Sequence, residues 1–195
     1  MDILTAIFGT PAKVRILRLF LFNPVTPFFP ADIVRRTKCS SASVRKELAV
    51  LADSDILKKR LLLKDKIRAI SYTLNEGFEL LDPLKALLTS TIAADESLLR
   101  RFGGVGKIKL FVVSGLFVQN WDARVDILIA GDGLDLARIE VIIKDIEAEV
   151  GKEISYSAFE TQDFEYRHSI HDRLIRDILD YPHVTLLDRL GVEPR

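Results

Sequence analysis

The sequence predicts an α+β chain of two modules, and three observations lead to that class. Its 195 residues carry 28 Lys and Arg against 28 Asp and Glu, but the balance is uneven along the chain. Residues 1–75 hold 14 basic and 6 acidic residues, a surplus of eight positive charges; the remainder holds 14 and 22, a surplus of eight negative ones. In the first part apolar residues recur at helical spacing and then give way to two apolar runs around a charged tip. In the second part short apolar runs alternate with amphipathic stretches. The expected division is a basic module over 1–75, a helical linker over 76–106 and an acidic module over 107–195. A hydrophobic fraction of 48% excludes a disordered polypeptide.

In the basic module Val14, Leu17 and Leu21, with Ile16, Leu19 and Phe20, predict a helix over 11–21, opened by Thr10-Pro11 and stopped by Asn23-Pro24. A proline-marked linker and a short helix over 31–36 follow, then a turn at Thr37-Lys38-Cys39. Ser40 or Ser41 is placed to cap a third helix over 41–52. Its inward stripe is Val44, Leu48 and Leu51; its other side carries Ser41, Ala42, Arg45, Lys46 and Ala49. Residues 56–63 and 67–74 predict a strand pair around Lys64-Asp65-Lys66. Small and cationic residues opening a helix suit the major groove of duplex DNA. The expected contacts are Ser40, Ser41, Ser43, Arg45 and Lys46 on the helix, and Lys58, Lys59, Arg60, Lys64, Lys66 and Arg68 on the hairpin.

Helix, helix, turn, helix and basic hairpin is the winged-helix order. The run Phe8-Gly9-Thr10-Pro11-Ala12-Lys13-Val14-Arg15-Ile16-Leu17, then Ser43-Val44-Arg45-Lys46-Glu47-Leu48, Leu51 and Ile56-Leu57, resembles the winged helix-turn-helix domains of ArsR-like repressors. The likeness covers most of residues 3–74. It implies double-stranded DNA as partner and a homodimer on inverted repeats, with the third helix in the major groove and the wing on the backbone or in the minor groove.

In the acidic module residues 109–114, 125–130, 154–159 and 184–187 predict strands, and 134–150 and 162–179 predict helices. Strand, strand, helix, strand, helix, strand indicates a mixed sheet. Val112-Val113-Ser114-Gly115, Val125-Asp126-Ile127-Leu128-Ile129-Ala130-Gly131 and Lys152-Glu153-Ile154-Ser155-Tyr156 resemble the minimal nucleotidyltransferase domain of the DNA polymerase β superfamily over about 109–187. Active members grip nucleotide phosphates with a Gly-Ser loop and hold Mg²⁺ on two carboxylates flanking an apolar residue. Here Leu116 stands at the Ser position and Arg124 at the first carboxylate, with Asp126 at the second. Only seven residues separate Leu116 from Arg124. A guanidinium repels the cation that the reaction requires. The resemblance therefore implies a pseudoenzyme without cofactor or metal. Gly115, Arg124 and Asp126 remain as a vestigial nucleotide site, and Arg124 either grips an effector phosphate or pairs with Asp122 or Asp126.

The resulting expectation is a DNA-binding transcriptional regulator whose acidic module serves dimerisation, a protein partner or a small nucleotide effector. The alternatives are an active nucleotidyltransferase, or an antitoxin-type interaction module, carrying the same basic module. His168 and His171 are expected on a solvated helix face, His183 in a turn, and Cys39 as a structural thiol. Phe117 and Trp121 are assigned either to the core or to a partner contact. No run is apolar enough to span a bilayer. The lack of a basic leader and the single cysteine lead to an expectation of a cytoplasmic location.

Overall fold

The computed structural model describes residues 3–64, 67–90, 92 and 96–192. The chain is α+β and divides into two compact units, 1–91 with 145–153, and 92–144 with 154–195. Among the described residues no helix is long and apolar enough to cross a membrane.

The first unit begins with α1 (Ile3–Phe8), to which the sequence reading assigns no element. In α2 (Pro11–Phe22) the Thr10 Oγ1 accepts the Lys13 N–H at 3.1 Å, and Pro11 occupies a first-turn position where no N–H is needed. Two further helices, α3 (Pro30–Thr37) and α4 (Ser41–Asp53), are joined by a turn in which Lys38 takes a left-handed conformation at φ 52°. Strands β1 (Leu57–Lys64) and β2 (Ile67–Leu74) form a two-stranded antiparallel ribbon, paired from Leu57 with Leu74 out to Lys64 with Ile67. Phe28 exchanges both backbone hydrogen bonds with Tyr72, each 2.9 Å, and anchors the base of the ribbon. Leu17, Phe20, Ile33, Val44, Leu48, Leu51, Leu57 and Leu74 share one core. Cys39 is half-buried against it, its Sγ donating to the Thr37 carbonyl at 3.5 Å.

Two polar side chains hold this unit together. Arg18, only 9% exposed, donates from Nε to the Leu88 carbonyl at 3.2 Å and from Nη1 to the Glu149 carbonyl at 3.1 Å. Leu88 lies in the last turn of α5 (Leu81–Thr89), and Glu149 also ends a helix, so one cation satisfies C-terminal carbonyls of two helices. Glu47, 3% exposed, accepts from the Thr10 hydroxyl at 2.9 Å, and Lys13 Nζ lies 3.4 Å from its other oxygen. The carboxylate thereby ties the start of α2 to α4.

The second unit runs through α6 (Glu96–Arg101), β3 (Lys107–Val113), a 3-10 turn at Gly115–Val118 and β4 (Ile127–Asp132). Next come α7 (Leu136–Val150), whose end groups with the first unit, and β5 (Tyr156–Glu160). The unit closes with α8 (Thr161–Ser169), α9 (Arg173–Leu179) and β6 (Val184–Asp188). The sheet order is β5-β4-β3-β6, with β3 antiparallel to β4 and β6, and β4 parallel to β5. Mixed pairing with a buried centre agrees with the continuous apolar runs of β3 and β4. The stretch 76–106 is divided: α5 groups with the first unit and α6 with the second.

The last expected helix is split. The single helix expected over 162–179 is two, because Asp172 caps α9 by accepting the Leu174 and Ile175 N–H groups, and His171 before it adopts φ 57°.

Where β4 ends, the Asp132 carboxylate accepts from the Thr161 hydroxyl and lies 2.9 Å from Lys109 Nζ. The Thr161 hydrogen bond, followed by Lys109, lowers its pKa from the ordinary 3.8. Folding therefore favours the ionised form. The associated stabilisation is present above the ordinary carboxylate range and is lost as pH falls through the depressed value. Replacing Thr161 by Val is expected to move the Asp132 titration upward, as followed by carboxyl-carbon NMR. An unmoved midpoint would remove the hydroxyl as the main cause.

Candidate nucleic-acid interface

The α4 helix is positioned by its buried stripe, Val44, Leu48 and Leu51, and by the Glu47 tie to α2. Ser40 caps it, accepting the Ser43 N–H at 3.2 Å and donating to the Ser43 hydroxyl at 2.9 Å. The cap consumes Ser40 and Ser43 in each other's company but leaves Ser41, Arg45 and Lys46 exposed on one side of the helix. Lys58, Lys59, Arg60 and Arg68 are likewise exposed on the ribbon. The Lys64 side chain and Lys66 lie outside the described residues.

The charges of this unit fall into two groups. Lys13 faces Glu47, Arg15 faces Glu149 at 3.8 Å, Arg35 faces Asp32, Arg36 faces Glu153 at 3.1 Å, and Lys38 faces Asp145 at 2.6 Å. Lys59 has only a long contact to Asp53, 3.9 Å. Among the described residues no carboxylate is in ion-pair contact with Arg45, Lys46, Lys58, Arg60 or Arg68. Surface pairs are individually weak, yet they decide where positive potential is cancelled and where it is left. Among the described residues of this unit it is left on α4 and the ribbon, and at the exposed Lys85.

Sequence reasoning missed the exposure of the ribbon's aliphatic residues. Leu61 (68%), Leu63 (73%), Ile67 (70%) and Ile70 (49%) all face water. Their spacing fits strands, but nothing in the sequence says that the outer half of the ribbon lacks a layer to cover it.

In the second unit the structure brings Gly115 and Asp126 of the expected vestigial site together, while Arg124 is engaged elsewhere. Asp126 is 5% exposed, and both its oxygens serve the backbone: Oδ1 accepts the Leu116 N–H at 2.8 Å and Oδ2 the Ser155 N–H at 2.9 Å. Gly115, at φ 54°, lies so close that a Cβ there would overlap Asp126 Oδ1. Arg124 instead pairs with Asp177 at 3.4 Å, neither with Asp122 nor with Asp126. Together with Asn120, Asp122, Arg173 and Tyr181 these two residues line a cleft of about 350 Å³. Phe117 is buried and Trp121 is 47% exposed, so the two aromatic residues take different roles.

All three histidines, expected on a helix face and in a turn, line one cavity of about 490 Å³ floored by Ile175, Leu179 and Val192. His168 also stacks on Phe164, with ring centroids 5.9 Å apart. Among the described residues no group of three or more His, Cys, Asp and Glu side chains is placed to hold a metal ion. Comparison with protein-family models, with curated proteins and with solved structures finds no match to this chain.

Proposed function

We propose that the protein is a DNA-binding transcriptional regulator whose first unit acts as a winged helix-turn-helix. One observation carries the reading: among the described residues Arg45, Lys46, Lys58, Arg60 and Arg68 of α4 and the ribbon have no carboxylate partner, while Lys13, Arg15, Arg35, Arg36 and Lys38 of α2, α3 and the following turn each face one. In this reading α4 enters the major groove, with Ser40, Ser41 and Ser43 near phosphates and Arg45 and Lys46 near base edges or backbone. Lys58, Lys59, Arg60, Lys64, Lys66 and Arg68 then follow the phosphate chain. The second unit is read as a nucleotidyltransferase-like pseudoenzyme serving dimerisation, a protein partner or a nucleotide effector. Leu116 in place of a hydroxyl, Arg124 held by Asp177, and Asp126 engaged by two backbone N–H groups support the loss of transfer chemistry.

Titration of labelled duplexes from a random-sequence pool, repeated over a range of salt, tests the reading. Affinity is expected to fall steeply with salt as counterions are released. The double variant Arg45→Ala, Lys46→Ala is expected to bind about 10–100-fold more weakly, with a salt slope shallower by about one to two. Equal affinity of wild type and variant would remove α4 from the interface; absence of duplex binding at low salt would end the regulator reading.

A further inference from the structure

We infer that the cavity lined by the three histidines of the second unit is a binding site for a small, flat aromatic acid carrying a single negative charge. The inference goes beyond the DNA-binding reading and does not depend on it. The cavity, about 490 Å³, lies wholly within the second unit. Its size falls in the range that small-molecule sites occupy, about 300–1,000 Å³. Ile175, Leu179 and Val192 form an apolar floor that removes a flat hydrocarbon body from water. His168 supplies one wall. Its ring lies 12° from parallel to Phe164, with centroids 5.9 Å apart, and Phe164 is fixed in the core. The imidazole is therefore backed by an aromatic ring and held in a set plane, which suits it to stack on a further flat ring.

The polar groups select the charge of the ligand. Both carboxylates on the lining are already engaged. Asp172 accepts the Leu174 and Ile175 N–H groups and lies 3.5 Å from Arg167, and Asp180 lies 3.5 Å from Arg176. His183 donates from Nδ1 to the Tyr181 carbonyl at 2.8 Å. Among the described residues no hydrogen bond or ion pair engages the imidazoles of His168 and His171, and the histidines belong to no metal-binding group. An imidazole carries an N–H donor when neutral and two when protonated, so a carboxylate is the complement of this pair, and its charge strengthens each bond. A triphosphate does not fit the same wall. Among the described lining residues there is one guanidinium, already shared with Asp180, against two carboxylates. Several negative charges would meet more repulsion than attraction there.

Calorimetric titration of the full chain with salicylate, indoleacetate and naphthoate tests the site. At least one acid is expected to bind saturably with a Kd of about 10 μM to 1 mM, as suits a ligand of about 10–15 non-hydrogen atoms. The amide of that acid, alike in shape but uncharged, should bind about tenfold more weakly or worse. The chain has three histidines, all on this cavity, so their imidazole proton resonances report binding without background. Two variants locate it. His168→Leu with His171→Asn removes the donors, asparagine being chosen because position 171 has φ 57°. Val192→Trp fills the floor and leaves the imidazoles in place. Both are expected to unfold thermally as wild type does and to bind about tenfold more weakly. Undiminished binding in either variant, or wild-type histidine resonances that stay put while acid binds, would overturn the location. No saturable binding of any of the three acids up to about 5 mM would overturn the site. ATP that binds more tightly than the acids, and is lost in the same variants, would overturn the single charge. None of these outcomes bears on the duplex titration, so the DNA-binding reading stands or falls separately.

Discussion

Replacing Asp126 by alanine is expected to lower the stability of the second unit by about 3–5 kcal/mol. The carboxylate is buried and satisfies two backbone donors from separate segments, Leu116 at the turn after β3 and Ser155 before β5. Hydrogen bonds to a charged acceptor contribute about 1.5–3 kcal/mol each, and each buried N–H left alone costs a similar amount. The turn is shaped around this group, since Gly115 has no Cβ where Asp126 Oδ1 sits. Asp126→Asn keeps one acceptor but turns an amide N–H₂ toward the other donor, so a loss about half as large is expected. Urea unfolding of the full chain, with the Leu116 and Ser155 amide resonances as local reporters, measures both variants. An alanine variant within 1 kcal/mol of wild type would show that water replaces the carboxylate and that the turn does not depend on it.

The second large effect is expected at Gly151. This residue has φ 82°, and an added Cβ would overlap the backbone at Leu19 N and Arg18 C. Backbone in α2 cannot yield as a flexible side chain can, so Gly151→Ala adds steric displacement to the left-handed penalty of about 1–2 kcal/mol. The total is expected to reach about 3 kcal/mol or more. It also displaces the carbonyls of Glu149 and Gly151 from Arg18 and Asn23, which donate to them at 3.1 and 3.0 Å. Gly9→Ala is the control: φ is 88°, but a Cβ there meets nothing within 4 Å, so it reports the conformational penalty alone. Equal losses at the two positions would mean that 145–153 shifts freely on α2.

Helices α2 and α4 and the ribbon of the first unit were legible because each has a local cause: the Thr10 and Ser40 caps, the Val44, Leu48, Leu51 stripe, and paired runs about a charged tip. The break at His171 was missed although Asp172 is a good capping residue. The apolar periodicity of 162–179 outweighed a single polar signal. The candidate interface was legible as composition but not as electrostatics. Lys38 and Asp145 are 107 residues apart, and nothing local distinguishes a lysine cancelled by such a partner from Lys46, which has no such pair. The position of Arg124 was misjudged for the same reason, since its partner Asp177 lies on a helix 53 positions later. The exposure of Leu61 and Leu63 depends on what is missing above them, which no alternation pattern encodes.

The grouping of 145–153 with the first 91 residues has a practical meaning for anyone wishing to isolate the basic half. A fragment stopped at position 91 would retain α4 and the ribbon yet deprive the nearly buried Arg18 of one of its two helix-end carbonyls. It would also strip Arg15, Arg36 and Lys38 of Glu149, Glu153 and Asp145. Such a piece would gain three uncancelled cations, and any affinity for polyanions that it displayed would be inflated by charge that the intact chain neutralises.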